Sequence, residues 1–315
     1  MIKQTKKISL NFFLTSLFII LYHIYLSAHY NVEGQHDTWL HHWYLIRVML
    51  RDFSLIQSEY GIFYYLYVSF FSLFTYPLFI YDLISAKQGL YLTIKLSNIP
   101  LIILTTFFLY KSLKIFIKKD YLICLSILLF FSYSPIQRTF LMARPENLMI
   151  LISILIFYFS FKYDFFNNQK IKYILIFLFF LMITQKITGF LFIIFITFLF
   201  LIFSSKSKVI LKIFFSSLIL SFIYFLFHYV VTGIPFYETS DVRMFGTDIV
   251  GIINTYAPLS ILYKIDLIDA WVNPLRDSQW LSMWNILIID FYGDYWNSGF
   301  FQKDFGEGKI FECKK

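Results

Sequence analysis

The feature that most limits what this chain can fold into is a recurrence of apolar runs, among them Ile8–Ala28, Tyr91–Leu113 and Ile210–Val231, separated by short cationic clusters. Each is about the length, roughly 20 residues, of a helix that crosses ~30 Å of hydrocarbon. Lipid offers no partner to exposed backbone N–H and C=O groups, so such runs must be helical. Charged residues make up only 15% of the chain, against roughly 25% in soluble domains. The sequence therefore predicts an all-α, polytopic integral membrane protein.

A net charge of +8 does not point to nucleic acid. The cations sit between apolar runs, where cytoplasmic loops of membrane proteins carry them. Cys124 lies within an apolar run and Cys313 near the end, which gives neither a disulfide framework nor a metal-knuckle spacing. Lys3, Lys6 and Lys7 precede the first apolar stretch as in a signal peptide. That stretch is longer than a signal core, and no small-x-small cleavage site follows, so it reads as a retained first span.

Charge also predicts the topology. With the amino terminus inside, residues 29–60 face outward. If Gly61–Tyr81 crosses next, the cluster Lys111, Lys114, Lys118 and Lys119 falls outside and every later loop inverts. If Gly61–Tyr81 stays at the outer face, that cluster is inside. It is joined there by Lys3, Lys6, Lys7, Lys162, Lys170, Lys172, Lys206, Lys208 and Lys212. Thirteen of the 27 Lys and Arg then lie in inner segments, together with only Asp120 and Asp164 of the 19 acids. The positive-inside bias selects this arrangement. The expectation is about seven transmembrane helices, near 8–28, 90–111, 121–137, 147–161, 173–186, 187–203 and 209–231. Surface helices occupy the outer loop 29–89. Residues 1–231 form the membrane module, and 232–315 an outer aromatic segment. Its apolar stretches Ile249–Tyr263 and Trp280–Tyr292 are too short to span comfortably.

Three outward places hold the polar chemistry. In the first loop, Asp37 precedes a helical pattern whose apolar stripe is Trp39, Trp43, Ile46 and Leu50. A helix cap explains Asp37, whose carboxylate would accept a first-turn backbone N–H, and spacing alone favours that reading. Glu33, His36 and His41 surround it and make a polar ligand site the alternative. Asp37 and His41 share a helix face, but nothing in the spacing specifies a structural zinc site. A divalent cation held loosely on Asp37 and Glu146 is left open. The second place is the corner from Arg138 to Asn147, with Arg144, Pro145 and Glu146. Proline at a helix start and an acid in its first turn are ordinary helix-entry features. Alternatively, Arg144 binds phosphate while Glu146 meets a sugar or metal. The third is Gln185-Lys186, a charged amine between two apolar runs, which marks either function or a snorkelling side chain.

Four segments carry a resemblance. They are GQHDTWLHHWYLIRVML followed by YGIFYYLYVSFFSLF, then RTFLMARPENLMILISILIF, then QKITGFL, and finally NPLRDSQWLSMWNILIIDFYGDYWN. Together they resemble the GT-C superfamily of membrane glycosyltransferases, in particular the polyprenyl-phosphate-dependent branch with protein O-mannosyltransferases and lipid A aminoarabinose transferases. The likeness covers 30–297. Family members usually continue for several more spans, so a fragment, a split gene or a compact variant is implied. The resemblance implies an inverting transfer of sugar from a polyprenyl-phosphate donor to a lipid, glycan or protein acceptor at the outer face of the cell membrane. Asp37 would be the general base and Glu146 the second catalytic acid. Arg144 and Lys186, with Arg138 and Arg243 behind them, would face the phosphate, and Glu33, His36 and His41 would line the substrate. The competing classes are a flippase or transporter for lipid-linked oligosaccharide and a surface-polysaccharide polymerase. A transporter predicts inverted repeats and broken spans at mid-membrane, which the sequence does not show.

Overall fold

Every element that the computed structural model describes is an α-helix, the outcome the apolar runs require; the described residues are 9–29, 45–46, 61–163, 165–203 and 207–232. They belong to one compact unit, Met1–His29 with His36–Glu238; the second unit, Tyr30–Gln35 with Thr239–Lys315, lies outside them. The helices run in the order α1 (Leu10–His29), α2 (Ile62–Phe70), α3 (Ser72–Ile80), α4 (Ala86–Phe116) and α5 (Asp120–Ser132). They continue with α6 (Ser134–Leu141), α7 (Glu146–Lys162), α8 (Gln169–Ile183), α9 (Ile187–Phe203) and α10 (Ser207–Thr232).

Three helices, α1, α4 and α10, are long and apolar enough to cross a bilayer. Their apolar side chains point outward as readily as inward: Phe18 is 59% exposed, Phe227 67% and Val230 80%. Large apolar groups on an outer surface fit a hydrocarbon solvent and would be a liability in water. The chain is a membrane protein whose described elements are all helical.

Local sequence sets where the helices stop. A capping box starts α4: Ser85 Oγ accepts from Gln88 N–H at 3.3 Å, and Gln88 Oε1 accepts from Ser85 N–H at 2.9 Å. At about 1.5 Å per residue, its 31 residues give a helix longer than the hydrocarbon is thick. The single helix expected over 121–137 is instead two. Tyr133 is extended, and Pro135 sits in the first turn of α6, a position that suits its missing N–H.

Contacts sort the helix ends into two groups. At one end Phe12 of α1 meets Tyr110 of α4 with ring centroids 4.2 Å apart. Phe116 meets Phe161 of α7 at 5.4 Å, and Phe161 meets Phe200 of α9 at 6.5 Å. Lys114 Nζ lies 3.3 Å from Asp120 Oδ1 in the α4–α5 turn. The other end gathers the starts of α2, α7 and α9 with the ends of α8 and α10. There Phe63 of α2 packs against Phe180 of α8 and Tyr224 of α10, at 5.6 and 5.4 Å. The pair α2–α3 is bent by 51°. Its hydrogen bonds to α4 fall at Ser97, whose carbonyl accepts from Tyr67, and at Thr93, 2.6 Å from Thr75. Both lie in the first half of α4, away from the lysine-bearing turn.

Candidate functional site

Glu146 and Lys186 meet at this second end. Lys186 Nζ donates to Glu146 Oε1 at 2.7 Å, with the two side chains 27% and 29% exposed. Glu146 opens α7 directly after Pro145, where the positive end of the helix dipole favours an acid. Lys186 belongs to the break between α8 and α9. The run expected to cross over 173–186 ends as a helix at Ile183, so Gln185 and Lys186 sit in a turn.

Two glycines shape that turn. Gly61 N–H donates to the Gln185 carbonyl at 2.7 Å. A Cβ on Gly61 would lie 1.9 Å from the Thr184 carbonyl oxygen, and one on Gly189 2.2 Å from that of Met182. Only glycine admits such close backbone approach. The entry to α2 and the α8–α9 break are thereby pressed together. Ile62 N–H, the next donor along, bonds to Tyr224 Oη at 3.3 Å.

Beneath the ion pair lies a buried amide network. Asn98 of α4 donates through Nδ2 to the carbonyls of Phe140 and Met142, at 2.7 and 3.1 Å. Asn147 Nδ2 is shared among Asn98 Oδ1, the Met142 carbonyl and Tyr64 Oη, at 3.1, 3.0 and 3.4 Å. Asn98, Asn147 and Tyr64 are completely buried. The network satisfies the carbonyls freed where α6 ends and fixes the Met142–Glu146 corner against α4. In an apolar interior an unmade hydrogen bond costs far more than a made one returns, so this corner is rigidly specified.

Of the residues expected at the site, the structure brings Glu146 and Lys186 into contact and puts Arg144 two residues from Glu146 in the same corner. Arg138 lies on α6, on the far side of the Met142 turn, and its side chain is not among those described. Glu33, His36, Asp37, His41 and Arg243 lie outside the described residues. Lys186 Nζ holds Glu146 Oε1, and Asp37, the other residue a loosely held cation would use, lies outside the described residues. Among the described residues no three His, Cys, Asp or Glu side chains group as metal ligands. Sequence reasoning overlooked Asn98, Tyr64 and Gly61 as parts of the site. An asparagine inside the apolar run of α4, two residues before Pro100, was the available signal, since buried amides in a span demand partners.

No known protein family matches the chain, and neither a curated protein nor a solved structure shows significant similarity to it.

Proposed function

We propose that the chain is an inverting membrane glycosyltransferase that uses a polyprenyl-phosphate-linked sugar at the outer face of the cell membrane. The observation that carries the reading is the Lys186–Glu146 contact, with Arg144 beside it. A cation from the α8–α9 break meets the Arg144–Glu146 corner at one partly exposed point, and a leaving phosphate needs such a place. In the reaction the acceptor hydroxyl oxygen attacks the anomeric carbon from the face opposite the phosphate. The carbon–oxygen bond to phosphate breaks, the lipid phosphate leaves with the electron pair, and Asp37 takes the hydroxyl proton. Arg144 and Lys186 stabilise the charge developing on the phosphate, the kind of electrostatic contribution that is often the largest in catalysis. Glu146, read from sequence as a sugar or metal ligand, takes the role of holding Lys186 in place.

The same reading assigns seven crossings, to α1, α4, α5 with α6, α7, α8, α9 and α10, and keeps α2–α3 at the outer face. The meeting of the Lys114 end of α4 with the Lys162 end of α7, at the end of α7 opposite Glu146, supports that orientation. The test is transfer by the purified full chain in lipid nanodiscs. Asp37→Asn keeps capping ability, because Asn caps helices about as well as Asp. It should lower turnover by about 10²–10⁴, while Glu33→Gln should be much milder. Turnover of Asp37→Asn near that of the unmodified chain would remove Asp37 as the base.

A further inference from the structure

Gln185 is completely buried, yet neither its Oε1 nor its Nε2 has a hydrogen-bond partner. Its neighbour Lys186 makes the contact with Glu146. On the other side of that contact Asn147 is just as buried; its Nδ2 is engaged, but its Oδ1 has no donor. Buried polar groups are nearly always hydrogen-bonded. Three unsatisfied atoms belong to the two residues next in sequence to a single ion pair, and groups that form hydrogen bonds would satisfy them.

The chemistry of those atoms narrows what that is. Two are acceptors, Gln185 Oε1 and Asn147 Oδ1, and one is a donor, Gln185 Nε2. Phosphate oxygens chiefly accept, so a phosphate would serve Nε2 and leave both carbonyl oxygens bare. A hydroxyl both donates and accepts, and a ring with neighbouring hydroxyls answers all three atoms. We propose that Gln185, together with Asn147 Oδ1, reads the hydroxyl groups of the transferred sugar, leaving Lys186 and Arg144 to the phosphate. This rests on the glycosyl-transfer reading and adds to it the residues that choose the sugar. The Gly61 N–H bond to the Gln185 carbonyl fixes the backbone from which the amide projects. Glu146 and Lys186 are each more than a quarter exposed, whereas Gln185 and Asn147 are buried.

Gln185→Met separates this role from a purely structural one. The thioether chain has nearly the volume of the amide but needs no partners, and replacing an unsatisfied buried polar group by an apolar one of like shape is neutral or stabilising. The experiment uses the full chain in nanodiscs. It measures binding of geranyl phosphate and of geranyl phosphate esterified with glucose, mannose or galactose, alongside the ligand-free Tm. The original chain should bind at least one hexosyl probe about tenfold more tightly than bare geranyl phosphate, a discrimination well within what hydrogen bonds to hydroxyls achieve. Gln185→Met should bind the two within about twofold, with an equal or higher Tm. Gln185→Leu should repeat both effects. A preference that survives the substitution, or a lower Tm or loss of folding in both variants, would overturn the role. Equal binding of all probes by the original chain would overturn it too, while leaving the phosphate site standing. If no probe binds, the glycosyl-transfer reading fails and takes this inference with it.

Discussion

At the scale of single residues, a lysine 2.7 Å from a carboxylate at the junction of two apolar helices adds little stability. Both partners are partly exposed, and exposed ion pairs are typically worth about 0–1 kcal/mol. Glu146→Gln should therefore shift Tm little, by the equivalent of less than about 1 kcal/mol. Lys186→Ala should weaken binding of geranyl phosphate by roughly 10- to 100-fold, since charge-assisted bonds contribute about 1.5–3 kcal/mol. Lys186→Arg should restore part of it, the guanidinium keeping the charge but not the compact geometry of the amine. Unchanged affinity in Lys186→Ala would detach Lys186 from the phosphate. Glu146, Arg144 and Lys186 could each be picked from the sequence as ionisable groups at the edges of apolar runs. Their pairing could not, because no local periodicity relates residues 40 positions apart. Asn98 escaped attention for the opposite reason: it is a single amide in a run whose hydropathy dominates the pattern.

At the scale of elements, the close approach of α2 to the α8–α9 break decides the geometry of the site. Gly61→Ala would drive a methyl group into the Thr184 carbonyl, which is backbone and has little freedom to retreat. Overpacking of this kind costs about 1–3 kcal/mol, so the variant should melt several degrees lower and bind geranyl phosphate more weakly. An unchanged Tm would contradict the approach. The long helices α1, α4 and α10 were legible from apolar run length alone. The ends were less so. The start of α4 was written in the sequence as Ser85-Ala-Lys-Gln88, a capping-box spacing, but the apolar run begins several residues later and draws attention away from it. The break at Tyr133 follows from Pro135 two residues on. The break at Gln185 involves Gly189 just downstream and Gly61 from a distant segment, and a reading along one segment does not weigh the second.

At the scale of the whole membrane unit, the Lys114 end of α4 meets the Lys162 end of α7 through Phe116 and Phe161, and the Glu146–Lys186 site lies at the opposite end of α7. The charge pattern along the chain carries the same separation, because insertion into a bilayer reads positive charge. By the same bias the proposed topology keeps Gly61–Tyr81 on the outer side. The pair α2–α3, bent by 51° as a broken span or a re-entrant loop is, has Gly61 bonded to Gln185 and Thr75 beside Thr93. Which sugar is moved, and to what acceptor, leaves no comparable trace in charge or hydropathy. The central claim, a site facing outward from a bundle whose Lys111–Lys119 and Lys162–Lys172 clusters face inward, is tested most directly by side-specific labelling. Single cysteines at Lys87 and Lys118, in a chain with Cys124 and Cys313 replaced by alanine, would be exposed to a membrane-impermeant thiol reagent on intact cells. The account predicts labelling at Lys87, and at Lys118 only after the membrane is permeabilised. Labelling at Lys118 with protection at Lys87 would contradict it.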